Sequence, residues 1–379
     1  MKKTLLLGAV ALMASTAMAQ VSEGYYLNKD WSSTDVPMTH TIQGAGYDGK
    51  IYVKETTFVT GATGKVTCYE WNEATSTVTQ SYVEGIENGG SAFNFDDAGN
   101  AFVFTASFPG ATSFKVAFWN SKTKQLSDEL DLTTALTELG ATIARMDYIG
   151  HGAGDVFSAE GGSFFVGLNG TTQIVKCHFA NGEFVASKSK VIEGPGSNNT
   201  QIMVQPLTTD PESDAVAYRN RSNKDFYYHN GSKWVAYTRT GSVSATAGGD
   251  LVTLNGVLYS IEPAGTNYFD GWQIVERATN TVVATVPQTL SAATSGNVTN
   301  LNIQKVSETK AYIYHYHPKA YVAKYTFAVP GDVLTAIEEV EVDANAPVEY
   351  YNLQGVKVAN PEKGLFIKKQ GNKATKVVL

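Results

Sequence analysis

Glu70-Trp71-Asn72-Glu73-Ala74-Thr75 and Phe118-Trp119-Asn120-Ser121-Lys122-Thr123 share the pattern Trp-Asn-x-x-Thr at a spacing of 48 residues. Upstream, Phe58-Val59-Thr60-Gly61-Ala62-Thr63 parallels Phe108-Pro109-Gly110-Ala111-Thr112. Two further stretches, Phe179 to Phe184 and Tyr228 to Trp234, turn on Asn-Gly between apolar residues, a strong short-range hairpin signal. A period near 50 residues marks a repeat architecture, and it has to be read before any single element.

Two other elements recur with it. Gly-rich loops lead into apolar runs at Gly89-Gly90, Gly152-Ala153-Gly154, Gly196, Gly248-Gly249 and Gly296, in steps of 63, 44, 52 and 48 residues. Turns lead into aromatic strands at Asp48-Gly49, Asp97 to Phe102, Glu160 to Phe164, Asn255-Gly256 and Glu308 to Tyr312. Each unit therefore reads as four antiparallel strands, which is the pattern of a propeller blade. Six units begin near residues 39, 89, 152, 198, 248 and 297. The long step holds Leu132 to Arg145, whose Leu136, Leu139 and Ile143 spacing predicts a short inserted helix. The sixth unit has three strands of its own, and Gly24–Asn28 is expected to supply its fourth. The expected fold is all-β: a six-bladed β-propeller with four-stranded blades over residues 20–331, plus a small C-terminal β module at 332–379.

Composition agrees with that reading. The 379 residues are 43% hydrophobic and 17% charged, with 35 Gly, 20 Tyr and 17 Phe. Many aromatics and glycines with few charges favour strands and tight turns. The net charge of −7 argues against nucleic-acid binding, which calls for a basic face. Lys2 and Lys3, the apolar run Leu5 to Met13 and the small-x-small site Ala17-Met18-Ala19 read as a secretory signal peptide over residues 1–19. That run is too short to span a bilayer of ~30 Å, so no transmembrane anchor is expected. Cys68 and Cys177 fall in different units and are expected to be separate thiols rather than a disulfide.

The repeat region, about 24–330, resembles propellers of the NHL, Kelch and SMP-like kind, and its Asp97-Ala98-Gly99-Asn100 turn looks like theirs. The likeness is architectural and carries no activity. The tail resembles the C-terminal sorting domain of type IX secretion, known from the Bacteroidetes. It shares Tyr351-Asn352-Leu353-Gln354-Gly355, then Asn360-Pro361 with Lys363-Gly364-Leu365-Phe366-Ile367-Lys368, then a Lys-rich end. The resemblance implies export to the cell surface or medium, or retention in the periplasm, with the outer-membrane secretion machinery as a partner.

Catalytic signatures are missing. There is no Gly-x-Ser-x-Gly elbow, His-Glu-x-x-His, phosphate loop or Cys-x-x-Cys pair. Asp96 and Asp97 are adjacent and point to opposite faces if on a strand, so they read as turn caps rather than a catalytic pair. His315 and His317 share one strand face, where two imidazoles could bind a metal with a third ligand. A decorated strand is the plainer reading, and no cofactor or metal is expected. In a propeller the lead-in loops and the loops between second and third strands open on one face. That rim would collect the candidate ligand-binding residues His40, Asn88, His151, Asn198, Arg219, Asp250, Tyr268, Asn297 and His317. Amides and aromatics with few charges suit a glycan or a surface protein. The leading expectation is a non-enzymatic binding protein. The alternatives are a polysaccharide hydrolase or lyase using carboxylates such as Asp250 and Asp270, and a structural envelope protein.

Overall fold

The computed structural model describes residues 19–36, 41–55, 65–83, 92–105, 112–146, 149–195, 202–220, 225–238, 251–264, 271–287, 300–317, 320–334, 347–352, 355–370 and 373–378. It divides into two compact units, Met1–Thr335 and Ala336–Leu379.

Among the described residues the first unit holds six antiparallel sheets in chain order. The first is Thr41–Tyr47, Lys50–Glu55, Val66–Asn72 and Thr77–Tyr82. The second runs from Ala92–Phe95 to Leu130–Asp131 and the third from Ala153–Gly154 to Lys190–Glu193. The fourth runs from Ile202–Pro206 to Trp234–Ala236 and the fifth from Leu251–Leu254 to Thr281–Pro287. The sixth is Asn300–Lys305, Lys310–His317 and Tyr321–Ala328, completed on its outer edge by the N-terminal strand Tyr26–Ser33. The expected helix is present as Thr133–Glu138, with Leu136 buried beneath it. Cys68 and Cys177 are both buried free thiols.

The turn chemistry explains the repeat. Asn72 Oδ1 accepts hydrogen bonds from the Ala74 and Thr75 N–H groups, and Asn120 Oδ1 from those of Lys122 and Thr123. Asn230 does the same for Ser232 and Lys233. One amide thus holds the turn between the third and fourth strands of three sheets, the local side chain-to-backbone pattern for which Asn is favoured. At Asn181-Gly182 both residues take positive φ, 53° and 79°, as a tight hairpin requires. The Asn230-Gly231 turn is built differently, with only Gly231 at positive φ.

Neighbouring sheets meet near their inner strands. The first strand of sheet one lies beside that of sheet two, and that of sheet five beside that of sheet six. Asn94 Nδ2 donates to the Ile149 carbonyl at 2.9 Å, Gln205 Nε2 to that of Leu251 at 2.9 Å, and Asn302 Nδ2 to that of Gly44 at 2.8 Å. Those three buried amides clip sheet two to the stretch leading into sheet three, four to five and six to one. The Gly150 and Gly152 N–H groups bond the Val204 and Phe95 carbonyls, tying that same stretch to both neighbours. The sheets pack through apolar faces. Phe102, Phe104, Phe164 and Phe179 fill the seam of sheets two and three, and Tyr259, Trp272, Tyr325 and Phe327 that of sheets five and six. At Gly46 the packing is so close that a Cβ would stand 1.8 Å from the Tyr314 ring. The first unit is a β-propeller.

The N-terminal strand was expected at residues 24–28. Tyr26, Leu27 and Asn28 do face Ala328, Phe327 and Thr326, and the pairing continues to Ser33 opposite Val322. Gln20–Val21 pairs with Thr285 and Ala284 on the outer strand of sheet five. The N-terminal segment thus stitches two neighbouring sheets together, and Tyr25 adds a 2.7 Å hydrogen bond from its hydroxyl to Glu276.

The second unit is one four-stranded sheet in the order Lys357–Val358, Val348–Tyr351, Leu365–Gln370, Lys373–Val378. Among the described residues none of its side chains is fully buried.

Candidate functional site

Six of the nine expected rim residues, His40, Asn88, Asn198, Asp250, Tyr268 and Asn297, lie outside the described residues, as does Asp270. The other three sit in different places. His151 stands beside sheet two, with Nε2 3.1 Å from Asp97 Oδ1 and its ring stacked on Tyr47. Arg219 and His317 are buried, at 4% and 1% exposure, inside sheet-to-sheet packing rather than on an open rim. The reason is strand position. Both fall within second strands, whose two faces are covered by neighbouring sheets. His315 shares that fate. Burial among apolar side chains pushes its imidazole down to about 3, with the neighbouring His317 adding to the shift. Among the described residues no three His, Cys, Asp or Glu side chains come together in a metal-holding group.

The pocket beside His151 is lined by Asp97, Gln205, Thr208, Thr209 and Lys305 among others, and its volume is only ≈30 Å³. That is about the share of one water molecule. Asp96, next to it, is fully buried. Its Oδ1 accepts from the Ala98 and Asn100 N–H groups, and its Oδ2 from Asn100 Nδ2 and the Val156 N–H. Desolvation raises its carboxyl to about 6 in spite of those bonds. Asp97 Oδ2 accepts from the Gly154 N–H. Asp96 therefore caps the turn, as expected, while the Asp97 side chain reaches across to sheet three instead.

Room for a ligand lies instead in a cleft of ≈540 Å³ between sheets four and five. Its size is within the range of small-molecule sites. One wall is Tyr228 with Val235 to Thr238, which follow the third strand of sheet four. The Tyr228 and Tyr237 rings stand 6.3 Å apart, and Phe226 packs against Tyr237 at 5.8 Å. Arg219 lies opposite Phe226 in the pairing, one strand further in, so the residue expected at the rim shares the face of this wall.

The other wall is Glu262, Gln273, Val275, Arg277, Asn280 and Val282 of sheet five. Arg277 forms an ion pair with Glu262, the two side chains being 7% and 2% exposed. Neighbouring groups support the pair through both terminal guanidinium nitrogens, while Arg277 Nε has no hydrogen-bond partner among the described residues. Ser260 Oγ donates to Glu262 Oε1 at 2.9 Å and accepts from Arg277 Nη1 at 3.2 Å. Arg277 Nη2 donates to the Thr238 carbonyl at 2.9 Å and to Asn280 Oδ1 at 2.6 Å. Its guanidinium lies over the Tyr237 ring, 5.0 Å from the centroid. A buried pair costs desolvation, and such surrounding bonds are what make it tolerable. The arrangement fixes an aromatic wall against a polar floor.

A second cleft, ≈460 Å³, separates sheets six and one. Asp30, Asp48, Glu70 and Glu73 line it with Trp31, Trp71, Lys50 and Lys324. Lys324 holds Asp30 at 2.6 Å and Lys50 holds Glu70 at 2.7 Å.

No family model and no curated protein matches this chain. Solved structures do. A DUF4623 family protein from Bacteroides eggerthii aligns over 83% of this chain and 79% of its own, at 9% identity and a TM-score of 0.55. A protein of unknown function from Dyadobacter fermentans aligns over 80% and 99%, at 8% identity and a TM-score of 0.46. The WD40 domain of Toxoplasma gondii coronin aligns over 85% and 91%, at 9% identity and a TM-score of 0.41. At such identities the likeness to the Bacteroides protein is one of fold alone.

Proposed function

We propose that this protein is a secreted or cell-surface, six-bladed propeller that binds a glycan in the cleft between sheets four and five without turning it over. The six sheets are read as the full set of blades, and residues 332–379 as a module for sorting or tethering. One observation carries the glycan reading. The Tyr228 and Tyr237 rings stand beside a fixed floor of carboxylate, guanidinium and amide groups. Sugar rings present apolar faces that lie on aromatic side chains and hydroxyls that need such partners. Titration calorimetry of the mature protein against an oligosaccharide panel tests it. A Tyr237→Ala variant should bind at least tenfold more weakly while still unfolding in one cooperative transition. Failure of the unaltered protein to bind any oligosaccharide would refute the reading.

The second cleft favours a second reading, polysaccharide hydrolysis. Four carboxylates line it beside Trp71, and glycosidic hydrolysis uses carboxyl pairs ~5–9.5 Å apart. Release of reducing ends that disappears in Glu70→Gln and in Asp30→Asn would support this reading. Intact polysaccharide after prolonged incubation would exclude it.

A further inference from the structure

Tyr228 and Tyr237 both line the proposed glycan cleft, but they are held differently. The Tyr237 N–H donates to the Phe226 carbonyl at 3.1 Å. The Arg277 guanidinium lies over one face of its ring, 5.0 Å from the centroid. The Phe226 and Tyr228 rings pack against it at 5.8 and 6.3 Å. Arg277 is fixed in turn, with Nη2 bonded to the Thr238 carbonyl at 2.9 Å and Nη1 paired with Glu262. A sugar laid on that face of Tyr237 would have to displace the cation. Tyr228 has smaller neighbours. On the third strand of sheet four it stands between Ala217 on one side and Val235 on the other. Cross-strand partners share a face of the sheet. Neither of these side chains extends as far from the strands as a phenol, so the half-buried Tyr228 ring projects past them into the cleft.

We infer that Tyr228 is the residue on which the sugar stacks and which decides the sugars that bind, and that Tyr237 and Arg277 are positioning residues that hold it in place. This rests on the glycan reading above and divides its aromatic wall into a contact and a support. A pyranose lays its C–H-rich face on an aromatic ring, and that face differs between sugars according to which hydroxyls are axial. Reshaping the contacting ring therefore alters the order of preference among sugars. Loosening the support displaces the ring and weakens the sugars together, with their order kept. The support acts through the Tyr237 ring rather than its hydroxyl, because the guanidinium and Phe226 both meet the ring.

The experiment is titration calorimetry of the mature protein against gluco-, galacto-, manno- and xylo-oligosaccharides of equal length. Each variant is first shown to unfold in one cooperative transition. Tyr228→Leu should bind the preferred series at least tenfold more weakly. Tyr228→Trp restores a stacking surface of another shape and should change the order of the series. Tyr237→Leu should lower all affinities by a similar factor without changing the order, and Tyr237→Phe, which keeps a ring beneath the guanidinium, should recover most of that loss. Arg277→Lys keeps a cation beside Glu262 but not the planar contact with Tyr237, and should behave as Tyr237→Leu does. If Arg277→Lys does not fold, the Tyr228 and Tyr237 variants decide alone. Full affinity in Tyr228→Leu, or an order of preference that changes in Tyr237→Leu and not in Tyr228→Trp, would overturn the assignment while leaving glycan binding in place. Binding of no series by the unaltered protein would overturn both.

Discussion

Asp96 holds four hydrogen bonds on one carboxylate, all of them from donors. An amide in its place has one acceptor oxygen and two N–H bonds, so two of those donors would face a donor. Asp96→Asn should therefore destabilise the protein by roughly 1–3 kcal/mol, the cost of buried unsatisfied groups. Urea unfolding at pH 7 measures it, and an unchanged midpoint would show that the turn is not needed. Adjacency in the sequence was enough to assign Asp96 to a turn cap, because capping is local, but not to send the Asp97 side chain across to sheet three. The Glu262–Arg277 pair was not legible in the same way. Its members lie 15 residues apart, and the Thr238 carbonyl that orients Arg277 is 39 residues away. A single Glu within Ser260-Ile261-Glu262 signals a buried partner somewhere, but nothing local in the sequence says which.

At the level of strands and turns, Trp-Asn-x-x-Thr was readable because its Asn builds the turn from its own side chain. The buried amides of Asn94, Gln205 and Asn302 were not, since their acceptors belong to neighbouring sheets. The rim residues Arg219 and His317 were placed by loop position alone. Their strands run on far enough to bury them. The N-terminal strand makes a sharper test of element roles. Removing residues 20–33 strips the outer strand from sheet six and the added strand from sheet five. Each lost main-chain bond is worth about 1 kcal/mol, and Trp31 and Leu27 leave the core with them. Thermal unfolding should shift down by ten degrees or more in one cooperative step. Removing residues 334–379 should leave the melting temperature nearly unchanged, because that segment forms its own sheet. The two truncations compared by differential scanning calorimetry decide the point. Equal effects would mean that the strand is dispensable or that the tail is structural.

For the whole molecule, acidity acts through groups buried between sheets. His315 is neutral in the native seam of sheets five and six, and its ring nitrogens have no hydrogen-bond partner among the described residues. The unfolded chain takes up the proton near pH 6.5. The native advantage from this group is thus complete above pH 6.5 and is lost as pH falls toward 3. Asp96 works in the opposite sense. Its raised native value favours the folded state below pH 3.8, and that contribution fades as pH rises through 6. His315→Leu should flatten the fall in melting temperature between pH 6.5 and 3 and cost little at pH 7, since it removes two unsatisfied nitrogens from an apolar seam. A pH series of melting curves that is parallel for the two proteins would remove His315 as the source of acid sensitivity.

The pairing of residue 26 with residue 328 also imposes a timetable. A strand made at the very start of the chain has to wait for nearly all the rest before its partner exists. Until then the Tyr321–Ala328 and Thr281–Pro287 edges stand open, and open edges invite other chains. Contacts of such long sequence separation form slowly. The final seal should therefore appear as a slow refolding phase, and aggregation should be confined to the interval before it closes.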